Sequence, residues 1–268
     1  MKPAISLIAW GNKRLDQFFN LIKERGVNSV EMAPSQILKN PTEVTDHTIK
    51  DYKNIFKKAK INLIGFHSLL YQKKKLQLFE SKKSREETLV YLEKLIEICG
   101  RLGGKILIFG SPNNRKIFSR KYEDCLNQSK EDFWKLGEIG KKFGVIFCIE
   151  PLAQSISEFI QSNQEGASLV NSVNHKNFRL HLDTKTIMEN NEDVEIFLRN
   201  NINICEHVHI SERGLGPLTD LNFNHKAFSK SLKKFNYKNF LSIEMIKDEK
   251  NKIKNIKNSI NFLKKTYC

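Results

Sequence analysis

The chain has 268 residues, with 45 Lys and Arg against 30 Asp and Glu, so its formal net charge is +15. This length predicts one globular domain over residues 1–268, with a core large enough to need no covalent cross-links. The five cysteines are far apart and include no C-x-x-C pair, which argues against a disulfide framework or a structural zinc knuckle. The lysines are dispersed over helical faces and one run at 72–85, so nucleic acid is a disfavoured partner despite the basic charge.

No apolar stretch approaches the roughly 20 residues that a membrane span requires. The N-terminal segment reaches Asn12, Lys13 and Arg14 too soon for the apolar core of a signal peptide. These features predict a cytoplasmic protein without a membrane partner.

Short apolar runs alternate with amphipathic stretches along the chain. The predicted strands are 4–9, 29–32, 62–66, 105–109, 145–149, 178–182, 206–210 and 240–243. The segments between them have apolar residues three and four positions apart, as in Leu15, Phe18 and Ile22, which is typical of helices that cover a sheet. No glycine-rich phosphate-binding motif occurs. Eight such units in about 250 residues predict the α/β class and a single (β/α)8 TIM barrel.

Polar residues collect where the last four predicted strands end. Strand five leads into Glu150, strand six into Asp183 and strand eight into Glu244, while His209 lies near the end of strand seven. The carboxyl ends of the strands form the active-site face of such a barrel. Converging carboxylates repel one another and lose hydration, so a bound divalent cation is their simplest neutraliser. Three carboxylates and one imidazole suit Mn²⁺ or Mg²⁺, with Co²⁺ or Zn²⁺ as alternatives.

These strand ends resemble those of the xylose isomerase-like barrel superfamily, which contains sugar isomerases, ketose 3-epimerases and, more distantly, endonuclease IV. The resemblance spans nearly the whole chain. In the ketose epimerases a Glu, Asp, His, Glu set binds the metal and its two glutamates move protons. The resemblance therefore implies a metal site at Glu150, Asp183, His209 and Glu244, with Glu150 and Glu244 catalytic.

The resemblance also includes Val30-Glu31, Gly65-Phe66-His67 and an arginine after strand seven. Relatives use that arginine to touch substrate oxygens, which implies the same role for Arg213. The full set of candidate substrate-binding residues is His67, Arg213, Lys185, Glu31, Trp10 and Arg115. For Glu31 a polar residue of the mouth without a role is an equal alternative, and for Trp10 packing at the end of the barrel is one.

Two further histidines have structural interpretations. His207 points to the same side as His209 by strand alternation but one layer deeper, which predicts a core histidine with a hydrogen-bonded partner. His181 is expected on the outward face of its strand.

The chain also departs from the family pattern. The ketose epimerases have a histidine three residues after the strand-six Asp, whereas this chain has Thr186 there, so Lys185 is the candidate replacement. Endonuclease IV binds three zinc ions with histidines after strands four, six and seven. This chain lacks those histidines, and the residues found there include Gly110, Thr186 and Arg213.

We therefore predict a metal-dependent sugar or sugar-phosphate isomerase or epimerase of carbohydrate metabolism, which transfers protons through a metal-bound enediolate. Its partner is a small-molecule sugar or sugar phosphate. A dehydratase or lyase using the same metal site is one alternative. An endonuclease IV-like phosphodiesterase is disfavoured by the missing zinc ligands, and the intact glutamates argue against a barrel that only binds its ligand. Assembly into a homo-oligomer stays open.

Overall fold

The computed structural model of the protein describes residues 1–38 and 41–268, without the side chains at 36, 37 and 42. Eight parallel strands pair in chain order, and the last pairs with the first to close a barrel. The strands are β1 Lys2–Ser6, β2 Ser29–Met32, β3 Asn62–Phe66, β4 Ile106–Phe109, β5 Ile146–Ile149, β6 Phe178–Asp183, β7 Cys205–Ile210 and β8 Phe240–Ile243. The predicted (β/α)8 barrel is confirmed.

Helices connect successive strands around the outside of the barrel. They are α1 Leu15–Lys23, α2 Pro34–Ile37, α3 Asp46–Ala59, α4 Lys82–Leu102, α5 Tyr122–Phe143, α6 Asn163–Val173, α7 Thr184–Asn190, α8 Val194–Asn201, α9 His225–Lys234 and α10 Lys252–Tyr267. Gly103 and Gly144 end α4 and α5 with positive φ angles, the left-handed conformation that favours glycine. Within the described parts of the chain, no helix combines the length and the apolar character needed to cross a membrane.

The first strand differs most from its prediction. It covers Lys2–Ser6 rather than 4–9, because the chain turns into a 3₁₀ helix at Leu7–Ala9. The Ser6 hydroxyl accepts a hydrogen bond from the Ile8 backbone N–H and so caps this turn. A run of apolar residues does not distinguish a strand from a buried turn.

Strand alternation separates two apolar layers. On the outer face of the barrel, Phe109, Phe147 and Phe178 contact Phe133 of α5 at ring-centroid distances of 5.1–6.0 Å. The inner face has a separate cluster that includes Cys148. Since side chains two apart share a face, Glu150 continues the inner face beyond Cys148 and reaches the mouth of the barrel.

His181 corrects the prediction that it faces outward. Its side chain is completely buried, and its ring centroid lies 4.3 Å from that of His209 in the barrel interior. The strand extends through Asp183, so alternation puts His181 and Asp183 on the same inner face. The pairing with β7 also shifts register between Leu180 and His181. The outward prediction is therefore wrong, because His181 shares the parity of Asp183 and not that of the outward-facing Phe178.

Candidate metal centre

Four side chains from the last four strands converge at the mouth of the barrel. One ligand atom from each of Glu150, Asp183, His209 and Glu244 can be chosen so that all four lie within 4.8 Å of one another. Asp183 and His209 are buried, and the side chains of Glu150 and Glu244 are each 12% exposed. The structure thus brings together the four residues selected from the strand ends.

Asp183 is fixed by hydrogen bonds from two neighbouring segments. It caps α7, where its Oδ1 accepts a bond of 2.9 Å from the backbone N–H of Lys185. The same oxygen accepts a bond from the hydroxyl of Ser211, which follows β7. Thr184 connects the two segments, because its hydroxyl accepts from the Ser211 N–H at 2.8 Å and donates to the Ser211 carbonyl at 2.7 Å. The carboxylate is therefore held in one orientation before any ligand binds.

Glu244 is oriented by a histidine from the opposite part of the barrel. Nδ1 of His67 lies 3.1 Å from Glu244 Oε1, and Nε2 of His67 is hydrogen-bonded to Ser6 Oγ at 2.6 Å. His67 is only 1% exposed. The predicted substrate contact thus lies at the site but presents its ring to Glu244, which indicates a positioning role.

His209 uses its two nitrogens in different directions. Nδ1 faces Glu244 Oε2 at 3.4 Å, whereas Nε2 is hydrogen-bonded to Glu31 Oε2 at 2.8 Å. The other oxygen of Glu31 contacts His207. His207 is therefore a core histidine with an acidic partner, as predicted. Glu31 is 1% exposed and lies beneath His209, so it orients this imidazole and does not face a substrate.

Glu150 lies between a glycine and a buried arginine. A Cβ atom at Gly110 would overlap Oε2 of Glu150, so a larger residue here would displace this carboxylate from its position. Arg115 donates to the backbone carbonyl of Glu150 at 2.9 Å and to Ser157 Oγ at 3.2 Å. Arg115 is completely buried and supports the end of β5 from within the protein, in contrast to the contact with a substrate anion that was expected of it.

The clustering of charges displaces the pKa values of these groups. Burial raises the pKa of Glu150 to about 8, and the negative charges of Glu244 and Asp183 add to the shift. Burial and Glu244 also raise the pKa of Asp183. Burial opposes ionisation of Glu244 as well, but His209 and His67 outweigh it and hold the pKa of Glu244 well below its ordinary value. Opposed shifts of this kind are typical of functional sites.

The pKa values of two buried histidines at the site are shifted in opposite directions. Burial lowers the pKa of His209, but the charges of Glu31 and Glu244 outweigh it and keep this pKa well above its ordinary value. Burial holds the pKa of His181 well below its ordinary value, so its ring is neutral. His209 must lose a proton before its Nδ1 can bind a metal ion.

Three other candidate residues lie outside the four-residue cluster. Nζ of Lys185 lies 3.9 Å from Glu189, its acidic neighbour one turn along α7. Arg213 is exposed and lines a groove between the α7–α8 segment and α9. Trp10 packs on Phe18 at 5.6 Å and donates to the Lys13 carbonyl at 2.8 Å, which corresponds to the packing interpretation.

The donor set fits a divalent cation. Three carboxylates and one imidazole provide hard oxygen donors and one nitrogen, and their convergence within 4.8 Å is unfavourable without positive charge between them. The hydrogen bonds to Asp183 and the contact of Glu31 with His209 hold the donors from outside, as in established metal sites. These four residues could therefore hold one metal ion.

Comparison with known proteins places the chain in a family. The model of the xylose isomerase-like TIM barrel family matches residues 19–266. The chain belongs to this family. None of the curated proteins matches the chain. Membership of the xylose isomerase-like family confirms the resemblance that the strand-end residues indicate.

Solved structures share the fold over the full length. D-psicose 3-epimerase from Clostridium cellulolyticum H10 has a TM-score of 0.83 and 16% identity, covering 100% of this chain and 99% of its own. 3-Keto-D-glucoside 4-epimerase from E. coli has a TM-score of 0.83 and 15% identity, covering 99% of this chain and 99% of its own. The IOLI protein, solved with a zinc atom, has a TM-score of 0.77 and 18% identity, covering 100% of this chain and 99% of its own. At these identities the likeness shows the fold.

Proposed function

We propose that this member of the xylose isomerase-like family is a divalent-metal-dependent isomerase or epimerase of a sugar or sugar phosphate. The observation that carries the proposal is the convergence of Glu150 and Glu244 with Asp183 and His209 in one cluster. Solved structures with this fold include ketose 3-epimerases and a 3-keto-glucoside 4-epimerase, which supports the choice of reaction.

The two glutamates have the placement that a proton shift beside a carbonyl group requires. They come from β5 and β8, which are separated in the barrel by β6 and β7, so they approach a bound molecule from two sides. One glutamate would remove a proton from carbon and the other would deliver a proton. A bound ion would supply positive charge to stabilise the negative charge that develops on the substrate's oxygens. Asp183 and His209 would hold that ion.

A pocket of about 320 Å³ lies at the segments that follow His67 and Gly110 and could hold the rest of a sugar. Ser68 and Ser111 line it, and they directly follow His67 and Gly110, which lie against the two glutamates. Its described lining also contains two lysines, at positions 73 and 74, and no acidic residue. This charge is compatible with a phosphate-bearing sugar as well as a neutral one.

The test is exchange of carbon-bound hydrogen with solvent. The metal-loaded protein is incubated in D₂O with a panel of ketoses and ketose phosphates, and deuterium beside the carbonyl is measured by mass spectrometry and NMR. We expect incorporation with at least one sugar, and losses of about 10²-fold or more in Glu150→Gln and Glu244→Gln. The exposed Glu80→Gln serves as the matched control.

Two results would contradict the proposal. The first is a metal-loaded protein that catalyses no exchange with any member of the panel. The second is a product that has lost water, which would assign the site to a dehydratase.

A further inference from the structure

One buried histidine beneath the candidate metal centre has no role in the arrangement described so far. His181 is completely buried, and neither of its ring nitrogens has a hydrogen-bond partner among the described residues. Its Nε2 lies 4.0 Å from Glu150 Oε1, too far for a hydrogen bond. Buried polar groups are nearly always paired, so an imidazole with two unpaired nitrogens indicates a missing ligand.

The geometry around His181 overlaps with that of the four-residue cluster. Glu150, His181 and His209 each offer one ligand atom, and these three atoms lie within 4.8 Å of one another. Glu150 and His209 also belong to the four-residue set. Donors at about 2.1 Å from one ion lie roughly 3–4.2 Å apart, depending on whether they are adjacent or opposite. The 4.0 Å between Glu150 and His181 falls in this range.

The neighbouring His207 does not compete for this place. Its Nε2 contacts Glu31, which holds it one layer below the mouth. His181 stacks on the ring of His207 at a ring-centroid distance of 5.4 Å, with the two planes at 27°. The inner side chains of β6 and β7 therefore divide into a histidine that pairs with Glu31 and one that is free to bind an ion.

We propose that His181 forms, with Glu150 and His209, a second set of three protein ligands for the metal ion at the mouth of the barrel, an inference that rests on the proposed function because it requires the ion. This second set has one carboxylate and two imidazoles. A second nitrogen donor favours Co²⁺ or Zn²⁺ over Mg²⁺, which prefers an all-oxygen environment. The chain's own residues would thus select a transition-metal ion.

The test compares the wild-type protein with His181→Gln. Metal-free protein is titrated with Co²⁺ and with Mg²⁺, and the visible absorption of bound Co²⁺ is recorded. We expect His181→Gln to weaken Co²⁺ binding at least about tenfold, to change the position and intensity of the Co²⁺ bands, and to leave Mg²⁺ binding nearly unchanged. Ser242→Ala removes another buried, unpaired polar group from the barrel and should change the affinity for neither Co²⁺ nor Mg²⁺.

A second measurement needs no variant and so does not depend on its folding. Proton NMR of the Co²⁺-loaded wild-type protein should show two shifted, exchangeable imidazole N–H signals, from His181 and His209. A single signal would overturn the proposal, as would an unchanged Co²⁺ spectrum and affinity in His181→Gln. A wild-type protein that binds Mg²⁺ but no Co²⁺ would overturn this inference alone, as the former two results would. A wild-type protein that binds neither ion would overturn both this inference and the metal-dependent function.

Discussion

Three of the four residues in the strand-end cluster have a side-chain partner outside the set of candidate ligands. Glu31 contacts His209, His67 contacts Glu244, and Ser211 contacts Asp183. Two of these partners follow or belong to β2 and β3, which contribute no ligand themselves. Outer partners of this kind fix the orientation of a ligand and raise its basicity. The first half of the barrel therefore contributes to the site by positioning the ligands of the second half.

The contact between Glu31 and His209 gives a direct prediction. Replacing Glu31 with Gln removes the negative charge that holds the Nε2–H of His209, so Nδ1 becomes a poorer and less well-oriented ligand. We expect Mn²⁺ affinity to fall about 10- to 100-fold, as measured by calorimetric titration of the metal-free protein.

Exposed glutamates supply the control for this change. Glu80→Gln removes the same charge at an exposed position that is remote in the sequence from every candidate ligand. This variant should bind Mn²⁺ like the wild type. An affinity within about twofold of the wild type in Glu31→Gln would show that Glu31 does not support the centre.

At this scale, sequence reasoning selected the four candidate ligands but not all of their partners. Glu150, Asp183, His209 and Glu244 could be selected because the chain direction and the strand ends place them on one face. The contact of Glu31 with His209 joins residues 178 positions apart, and no local pattern encodes it. The need for glycine at position 110 likewise depends on where the Glu150 carboxylate points.

At the scale of the elements, the strands were predictable, and the errors concern the residues at which they begin and end. Strands β2, β3 and β8 have the predicted bounds. β6 continues to Asp183, and alternation counted back from Asp183 puts His181 on the inner face, not on the outer face that was predicted. Alternation is a strong rule once the limits of a strand are known, because each step of one residue changes the face.

The loop after β7 is anchored by buried polar contacts. Glu212 accepts a bond of 3.1 Å from the Thr219 backbone N–H and lies 3.2 Å from Nε2 of His225 in α9. Nδ1 of the same histidine is hydrogen-bonded to the Tyr267 hydroxyl at 2.7 Å, which connects the loop to α10. This arrangement fixes the segment that begins with Ser211, the partner of Asp183. Loop conformations of this kind depend on distant residues and were not predictable.

At the scale of the whole molecule, net charge and local charge have opposite signs. The chain carries a formal charge of +15, yet its mouth gathers three carboxylates with pKa values shifted in different directions. A basic protein attracts anionic molecules, whereas an acidic mouth attracts cations. Composition alone therefore suggests the class of substrate but not the presence of a metal centre.

The raised pKa values predict that metal binding releases protons. At neutral pH most Glu150 side chains retain a proton, since their pKa is about 8, and His209 is also held in its charged form. Both must deprotonate before binding a cation, so affinity should rise with pH up to about 8, by about tenfold per pH unit for each proton released. Calorimetry in two buffers with different ionisation enthalpies measures the number of protons released on metal binding.

The Glu150→Gln variant separates the proton released by Glu150 from the proton released by His209. Glu150→Gln should release fewer protons at pH 7 than the wild type, because the amide has none to lose. A wild-type affinity that is constant between about pH 6 and about pH 8 would contradict the arrangement of charges described for the metal-free mouth.

The central claim is that the four strand-end residues form a metal centre, and metal content tests it most directly. The purified wild-type protein and its Glu150→Gln and Asp183→Asn variants are measured side by side by mass spectrometry, before and after incubation with Mn²⁺, Co²⁺, Zn²⁺ and Mg²⁺. The account predicts about one ion per chain in the wild type and a clear loss in both variants. A wild-type protein that carries no metal and takes up none would contradict it.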